Sequence, residues 1–447
     1  MRIDIGDRSV FSKVFNQLIK YKINSNFLNG VSIDSRKIQK GDIFIALKGG
    51  QYDGHNFIDD CISKGASFVI NEECEGDNII KVKSSKAIIR NMAILYRESM
   101  KCKVIGITGS NGKTTTKEML FHILSSEYNI SYTKDNFNST IGMPISIFSI
   151  SSSDEIFLAE MGTNQKGEIK YLCEIAQPDF GIITNIAEAH IENFDSLDEI
   201  YKEKSNLFKS VSKDGLIFIN MDDIFLSSSI SSFNSKKIKY GFSGNYHYSA
   251  KINKDKDNNL IINNTSINIP YLSNNIAKNI LCSFTVASEL GVKPHVFQKK
   301  INSFHTPNGR GNLIYKSDYT IINDTYNSNY SSTIAGIESI ESFSNPKSRK
   351  VVILGDMLEL GNNSKNFHIS ILDHLIKNNI KDVFLYGELM SHLYKSSKNK
   401  DLDINIFYFE DQDELIKAVN TYILKNDIIY IKGSRGMKME NIIKGIK

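Results

Sequence analysis

The chain has 447 residues, enough for roughly two to four domains. It is 41% hydrophobic and 23% charged with a net charge of +4, and its basic residues gather in no single segment, which argues against nucleic-acid binding. Five scattered cysteines (Cys61, Cys74, Cys102, Cys173, Cys282) form no C-x-x-C pair, pointing to reduced thiols in a cytoplasmic setting rather than to disulfides or structural zinc. The opening MRIDIGDRSV lacks an apolar leader core, and no run of about 18 apolar residues follows, so neither secretion nor membrane insertion is expected.

Residues 1–100 alternate short strand-like runs (DIFIAL at 42–47, ASFVI at 66–70) with helical patterns at 57–64 and 86–99. A larger α/β pattern covers 103–220. VIGIT, EIFLAEMG, DFGIITNI and GLIFIN are short continuous apolar runs of the kind that form buried parallel strands, separated by helical stretches. The polar segment 221–270 predicts a β-excursion, 275–290 an amphipathic helix, and HTPNGRGN (305–312) a turn-rich junction. Beyond it YTIIND, KVVILGDM, DVFLYG, INIFYFE and DIIYIKGS make a third α/β pattern. The predicted fold class is therefore α/β in three domains: 1–101, a central 102–309 with a mainly parallel sheet, and a Rossmann-like 310–447.

The most informative stretch is VIGITGSNGKTTT at 104–116. A strand, a glycine turn and a helix N-terminus form a phosphate cradle, in which backbone N–H groups, the helix dipole and Lys113 converge on an anion, and the Thr114 hydroxyl is suited to Mg²⁺. The spelling departs from the strict P-loop, which would put glycine where Ile107 stands. That departure points away from generic GTPases and motor ATPases. Glu160 follows an apolar strand, where a carboxylate can act as an oxygen ligand for Mg²⁺ or simply cap a helix. His190 also follows a strand, and Lys204 lies on a predicted helix. If desolvated and neutral, the Lys204 amine could add CO₂ and become an anionic carbamate. The remaining histidines have no metal-like spacing and are expected to be structural.

Together these motifs resemble the Mur ligases, ATP-dependent amide ligases of peptidoglycan precursor synthesis. The residues that carry the resemblance are TGSNGKTTTKE, DNFNSTIGMP (135–144), EMG (160–162), NIAEAHIENF (185–194) and KSNLF (204–208). DSRKIQKGDIFIALKG with DGHNF in the first domain, and NDTYNSN, VILGDMLELG and IKGSRGMKME in the third, resemble the branch of the family that adds D-alanyl-D-alanine to UDP-MurNAc-tripeptide. The alternatives are a sister ligase adding a single amino acid, of the tripeptide-forming or folylpolyglutamate synthetase type, and, in another class, a non-catalytic nucleotide switch.

The resemblance implies ATP, two Mg²⁺ ions and an acyl-phosphate intermediate. It places ATP on Gly109, Ser110, Asn111, Gly112, Lys113, Thr114, Thr115, Asn279, Arg310 and Asp324. Mg²⁺ would be held by Thr114 and Glu160, and by His190 with carbamylated Lys204; Lys113, Glu160, His190 and Lys204 would serve catalysis. Lys204 rather than Lys202 fits the family's spacing to Leu207 and Phe208. Ser35, Arg36 and Lys48 would belong to the UDP-binding region of the first domain, Asn136 and Asn138 would line the precursor, and Tyr326, Asn327, Ser434 and Arg435 would bind substrate from the third domain. Two departures are evident. Asn275 replaces the family's usual histidine four residues before Asn279, and Tyr330 replaces a proline, which predicts a less constrained loop at 326–330. A monomer is expected, open without ligand and closing by a hinge near 305–312 that swings Arg310 and Asp324 toward the nucleotide.

Overall fold

The computed structural model describes residues 1–447 apart from 20, 22, 24, 51, 190, 254–258, 270–272, 344–347 and 399. The described residues form three sheets, each flanked by helices, as the α/β reading predicts.

The first sheet runs in chain order: Arg2–Asp4, Gly30–Ser32, Ile43–Ile45, Phe68–Asn71 and Ile79–Lys81, parallel except for its first pair. The helix Arg8–Ile19 within this region has no counterpart in the sequence reading. Its buried Phe11, Val14 and Phe15 follow helical spacing, but Ser, Lys and Asn between them dilute the pattern.

The second sheet has nine strands. Seven are joined in parallel, in the spatial order Tyr248–Asn253, Lys236–Gly241, Leu216–Asn220, Phe180–Ile183, Lys103–Thr108, Ile156–Glu160, Ile130–Tyr132. An antiparallel hairpin, Asn259–Ile262 with Thr265–Asn268, extends the far edge. The predicted β-excursion at 221–270 is thus a continuation of the central sheet. Lys103–Thr108 lies deep inside this sheet, so the cradle that follows it opens at the carboxyl end of neighbouring parallel strands, where α/β sheets bind ligands.

The third sheet places Asn312–Tyr315 antiparallel to Thr320–Asp324. It continues in parallel through Ile428–Lys432, Lys350–Gly355, Asp382–Tyr386 and Asn405–Phe409.

The joints between these units differ in kind. The first and second share one apolar core: Phe11, Tyr96 and Phe148 meet edge to face, with ring centroids 5.0 Å apart for Phe11–Phe148 and 5.7 Å for Tyr96–Phe148. The Tyr96 hydroxyl donates to the Ile150 carbonyl at 2.7 Å and accepts from the Asp7 N–H at 2.8 Å. The third unit has cores on either face of its sheet and meets the second through hydrogen bonds at the cradle and through Ile191, which packs against the cores of both. A shared apolar core resists separation, whereas a polar joint can exchange its hydrogen bonds with water.

Candidate functional site

The strand Lys103–Thr108 ends in the loop 109–112, and the helix Lys113–Leu124 starts at Lys113 with its first-turn N–H groups facing the loop. Gly112 caps that helix at φ +80 and Gly109 sits at φ +144, both in backbone territory that favours glycine. A Cβ on Gly109 would lie 1.9 Å from Thr184 Oγ1, so only glycine lets the two loops approach. The loop after Phe180–Ile183 clamps the cradle from the side. Thr184 Oγ1 donates to the Asn111 carbonyl at 2.6 Å, the Asn111 N–H donates to Asn185 Oδ1 at 3.0 Å, and Ser110 exchanges two 2.8 Å bonds with Ala187.

Lys113 lies over this loop, its ammonium donating to the Gly109 and Ser110 carbonyls at 2.7 and 3.2 Å. Desolvation lowers its pKa from 10.5 to about 8. Glu160 opposes that shift and Arg310 adds to it. Glu160, at the end of Ile156–Glu160, is 1% exposed. Its Oε1 accepts from the Thr114 hydroxyl at 3.0 Å and from Asn138 Nδ2 at 2.7 Å, while Oε2 has no hydrogen-bond donor among the described residues. A buried, incompletely satisfied carboxylate beside a hydroxyl is a hard-oxygen donor set, and it fits Mg²⁺.

The third unit closes the site. One cavity of about 580 Å³ is lined by Lys113, Thr114, Glu160 and Asn279 from the second unit and by Arg310 and Asp324 from the third. Ser110, Asn111, Gly112, Thr115, Asn136, Asn138, Tyr326 and Asn327 line it as well. Asp324 ends its strand held by the Tyr430 hydroxyl at 2.9 Å and by Lys432 Nζ at 2.7 Å; Lys432 also donates to the Asn327 carbonyl at 2.9 Å. Arg310 stacks on Tyr326 with its guanidinium 3.9 Å from the ring centroid, and Arg435 lies 5.6 Å from the same centroid.

The two units are latched by the cradle itself. Asn111 Nδ2 donates to Ser331 Oγ at 2.9 Å, and Asn329 Nδ2 donates to Asn111 Oδ1 at 2.9 Å. The structure presents the third unit docked on the second through these contacts. Asn329 N-caps the helix Tyr330–Ser339 in a full capping box with Ser332, so hydrogen bonds supply order at the turn that a proline would otherwise restrain.

Lys204 is 3% exposed on the helix Leu197–Ser210, and no carboxylate lies within ion-pair distance of it among the described residues. Burial first, and then Lys113, lower its pKa from 10.5 to about 7, with Glu203 acting the other way. The Glu203 carboxylate is engaged elsewhere, accepting the Gly167 and Ile169 N–H groups at 2.7 Å each. Lys202, by contrast, is exposed and paired with Asp198 and Glu199, so the structure separates the two lysines as the spacing did. His190 lies outside the described residues.

Several expected site residues do not reach the cavity. Ser434 accepts from the Leu358 N–H at 2.8 Å and donates to the Ser328 carbonyl at 3.2 Å, supporting the 326–330 loop from behind, and Arg435 pairs with Glu440 at 3.2 Å. Ser35, Arg36 and Lys48 lie apart on the first unit, where Arg36 pairs with Asp34 at 2.8 Å and Lys48 lies 3.6 Å from Asp53. Asp53, His55 and Glu73 form a cluster with metal-like proximity. Both His55 ring nitrogens are engaged there, Nδ1 with Asp53 at 2.6 Å and Nε2 with the Glu72 N–H at 3.1 Å, in keeping with a structural histidine.

Lys117, Asn329, Ser331 and Tyr430 carry no role in the expectations above. Lys117 had a usable signal, since it follows Lys113 by one helical turn and so shares its face. Ser331 and Tyr430 act across the joint or across a sheet, where no local pattern marks them; Asn329 ends the NDTYNSN motif, which gives no sign of its contact across the joint.

A phosphate cradle clasped between two α/β units is the architecture of a multidomain nucleotide-dependent enzyme. Residues 28–108 match the Mur ligase family catalytic domain, 107–287 the Mur ligase middle domain, and 309–435 the Mur ligase glutamate ligase domain. The UDP-N-acetylmuramoyl-tripeptide–D-alanyl-D-alanine ligase of Rickettsia prowazekii is 33% identical over 434 residues, covering 94% of this chain and 95% of that one. The Bacillus subtilis enzyme of the same name is 29% identical, covering 98% and 97%. Among solved structures, MurF from Acinetobacter baumannii superposes with a TM-score of 0.86 at 26% identity, covering 97% of this chain and 98% of its own. MurF from Thermotoga maritima in complex with ADP gives 0.82 at 27%, covering 93% and 96%. The chain belongs to the Mur ligase family.

Proposed function

We infer that the protein joins D-alanyl-D-alanine to UDP-MurNAc-tripeptide at the expense of ATP, giving UDP-MurNAc-pentapeptide, ADP and phosphate. The observation that carries this reading is the single cavity in which Lys113, Thr114 and Glu160 face Arg310 and Asp324 across the joint. Relatives of that activity align over nearly the whole chain, which favours it over the single-amino-acid ligases and the nucleotide switch.

A peptide carboxylate does not acylate an amine at neutral pH, because oxide would have to leave. In the proposed reaction a carboxylate oxygen attacks the γ-phosphorus of ATP. The bond to the β–γ bridging oxygen breaks, ADP leaves and an acyl phosphate forms. The dipeptide amine then adds to the acyl carbon, the tetrahedral adduct expels phosphate, and the nitrogen loses its proton to leave an amide. Lys113 neutralises charge on the transferring group, Asn136 and Asn138 orient the precursor, and Arg310 supplies a second cation from the third unit. Asn279 would contact adenine, and Asp324, held by Tyr430 and Lys432, would accept from ribose hydroxyls.

Thr114 and Glu160 would hold one Mg²⁺, and His190 with Lys204 a second; bound there, the ions would screen phosphoryl charge. For the second site Lys204 would have to be carbamylated, and its burial without a carboxylate partner favours the neutral amine which that addition needs. Residues 1–101 would bind the UDP-linked precursor through Ser35, Arg36 and Lys48, 102–309 the ATP, and 310–447 the dipeptide, with Tyr326, Asn327, Ser434 and Arg435 contributing. We place the enzyme in the cytoplasm as a monomer. No helix among the described residues is long and apolar enough to cross a membrane, which is consistent with that placement.

The test is phosphate release with UDP-MurNAc-tripeptide while the acceptor is varied. Release with D-alanyl-D-alanine and none with single amino acids is expected. Release only with a free diamino acid would overturn the assignment.

A further inference from the structure

Glu160 has a second cationic neighbour besides Lys113. Lys117, one turn further along the same helix, is 0% exposed. Its Nζ donates to the Thr133 carbonyl at 2.7 Å, lies 3.0 Å from the Glu118 carboxylate and 5.2 Å from the Tyr132 ring centroid, and stands 3.4 Å from Glu160 Oε2. Oε2 takes no hydrogen bond from it, so the ammonium balances the carboxylate's charge without saturating its lone pairs. Glu118 is partly exposed and screened by solvent, which leaves Glu160 as the buried partner of Lys117. Lys113 and Arg310 bring two further positive charges to the same cavity.

We propose that Lys117 makes the cation affinity of Glu160 conditional on nucleotide, so that a divalent cation binds there together with phosphates and only weakly alone. The proposal rests on the reading of Thr114 and Glu160 as cation ligands. The physics is a matter of sign. A cation arriving alone meets one carboxylate already paired with a buried ammonium, and at these separations charge repulsion is strong. A nucleotide brings several negative charges, which reverse the balance. Lys117 is thus a positioning residue: it does not line the cavity and acts through Glu160.

The experiment measures Mn²⁺ affinity by electron paramagnetic resonance, with and without ADP, alongside thermal melts. It compares the wild type with Lys117→Met, Lys117→Arg, Glu160→Gln and the double variant Lys117→Met/Glu160→Gln. Without ADP, Lys117→Met is expected to bind Mn²⁺ at least about tenfold more tightly than the wild type, because a nearby positive charge is gone. Mn²⁺ alone should then raise the melting temperature of Lys117→Met, since a ligand that binds only the folded state stabilises it. Lys117→Arg and the double variant should keep the weak wild-type binding. Mn²⁺ affinity in Lys117→Met equal to or below that of the wild type would overturn the proposal. So would a Lys117→Met protein that stays unfolded with Mn²⁺ while the double variant, free of the orphaned charge, folds. The underlying reading fails separately if Glu160→Gln leaves ADP-dependent Mn²⁺ binding unchanged.

Discussion

Lys113→Met is expected to abolish nearly all phosphate release while leaving the fold intact. The ammonium sits at the head of the cradle, desolvated and within reach of whatever anion the loop receives. Removing a preorganised charge from a transferring phosphoryl group costs roughly 10³-fold in kcat/KM, about 4 kcal/mol of transition-state stabilisation. The fold should survive, because the lysine's hydrogen bonds go only to carbonyls of its own loop and methionine retains the aliphatic stem's bulk. Steady-state phosphate release, calorimetric ADP binding and far-UV circular dichroism together check the expectation. A loss below tenfold with unchanged ADP binding would remove Lys113 from the proposed role.

Lys204 carries the second large effect. Lys204→Arg keeps a cation on the helix but cannot become the lysine carbamate, and activity is expected to fall by roughly 10²-fold or more, in the range of losing a charge that orients or screens the reacting groups. In ¹³C-bicarbonate buffer the wild type should show a protein carbamate resonance that Lys204→Arg lacks, and Lys204→Ala should regain part of its activity with a short-chain carboxylate. Identical carbon spectra for wild type and Lys204→Arg would refute the carbamate. Full activity of Lys204→Ala would refute any role for the residue.

The parts legible in the sequence are those written locally. Continuous β-branched runs such as VIGIT and DIIYIKG marked buried parallel strands, and the glycine pattern at 109–112 marked a turn whose left-handed backbone the structure confirms. Glu160 was legible as a carboxylate at a strand end, whereas Lys204 stood out only through the family resemblance. The docked joint was not legible. Asn329 reads locally as a helix cap, which it is, and nothing near it in the chain discloses that its amide also reaches Asn111 on another unit. Lys432 and Tyr430 read as strand residues, and only the register with Thr320–Asp324 sets them beside Asp324. Contacts between units that join polar groups leave no periodicity in the sequence, so the docked arrangement is not written there.

In the proposed reaction, the cavity between the second and third units activates a carboxylate by phosphorylating it before the amine arrives. The most direct measurement uses UDP-MurNAc-tripeptide carrying ¹⁸O in its terminal carboxylate, with ATP, Mg²⁺ and D-alanyl-D-alanine, and weighs the released phosphate by mass spectrometry. One carboxylate oxygen must leave with phosphorus if an acyl phosphate forms, so the released phosphate is expected to carry a single ¹⁸O. Pentapeptide formed alongside unlabelled phosphate would exclude the acyl phosphate.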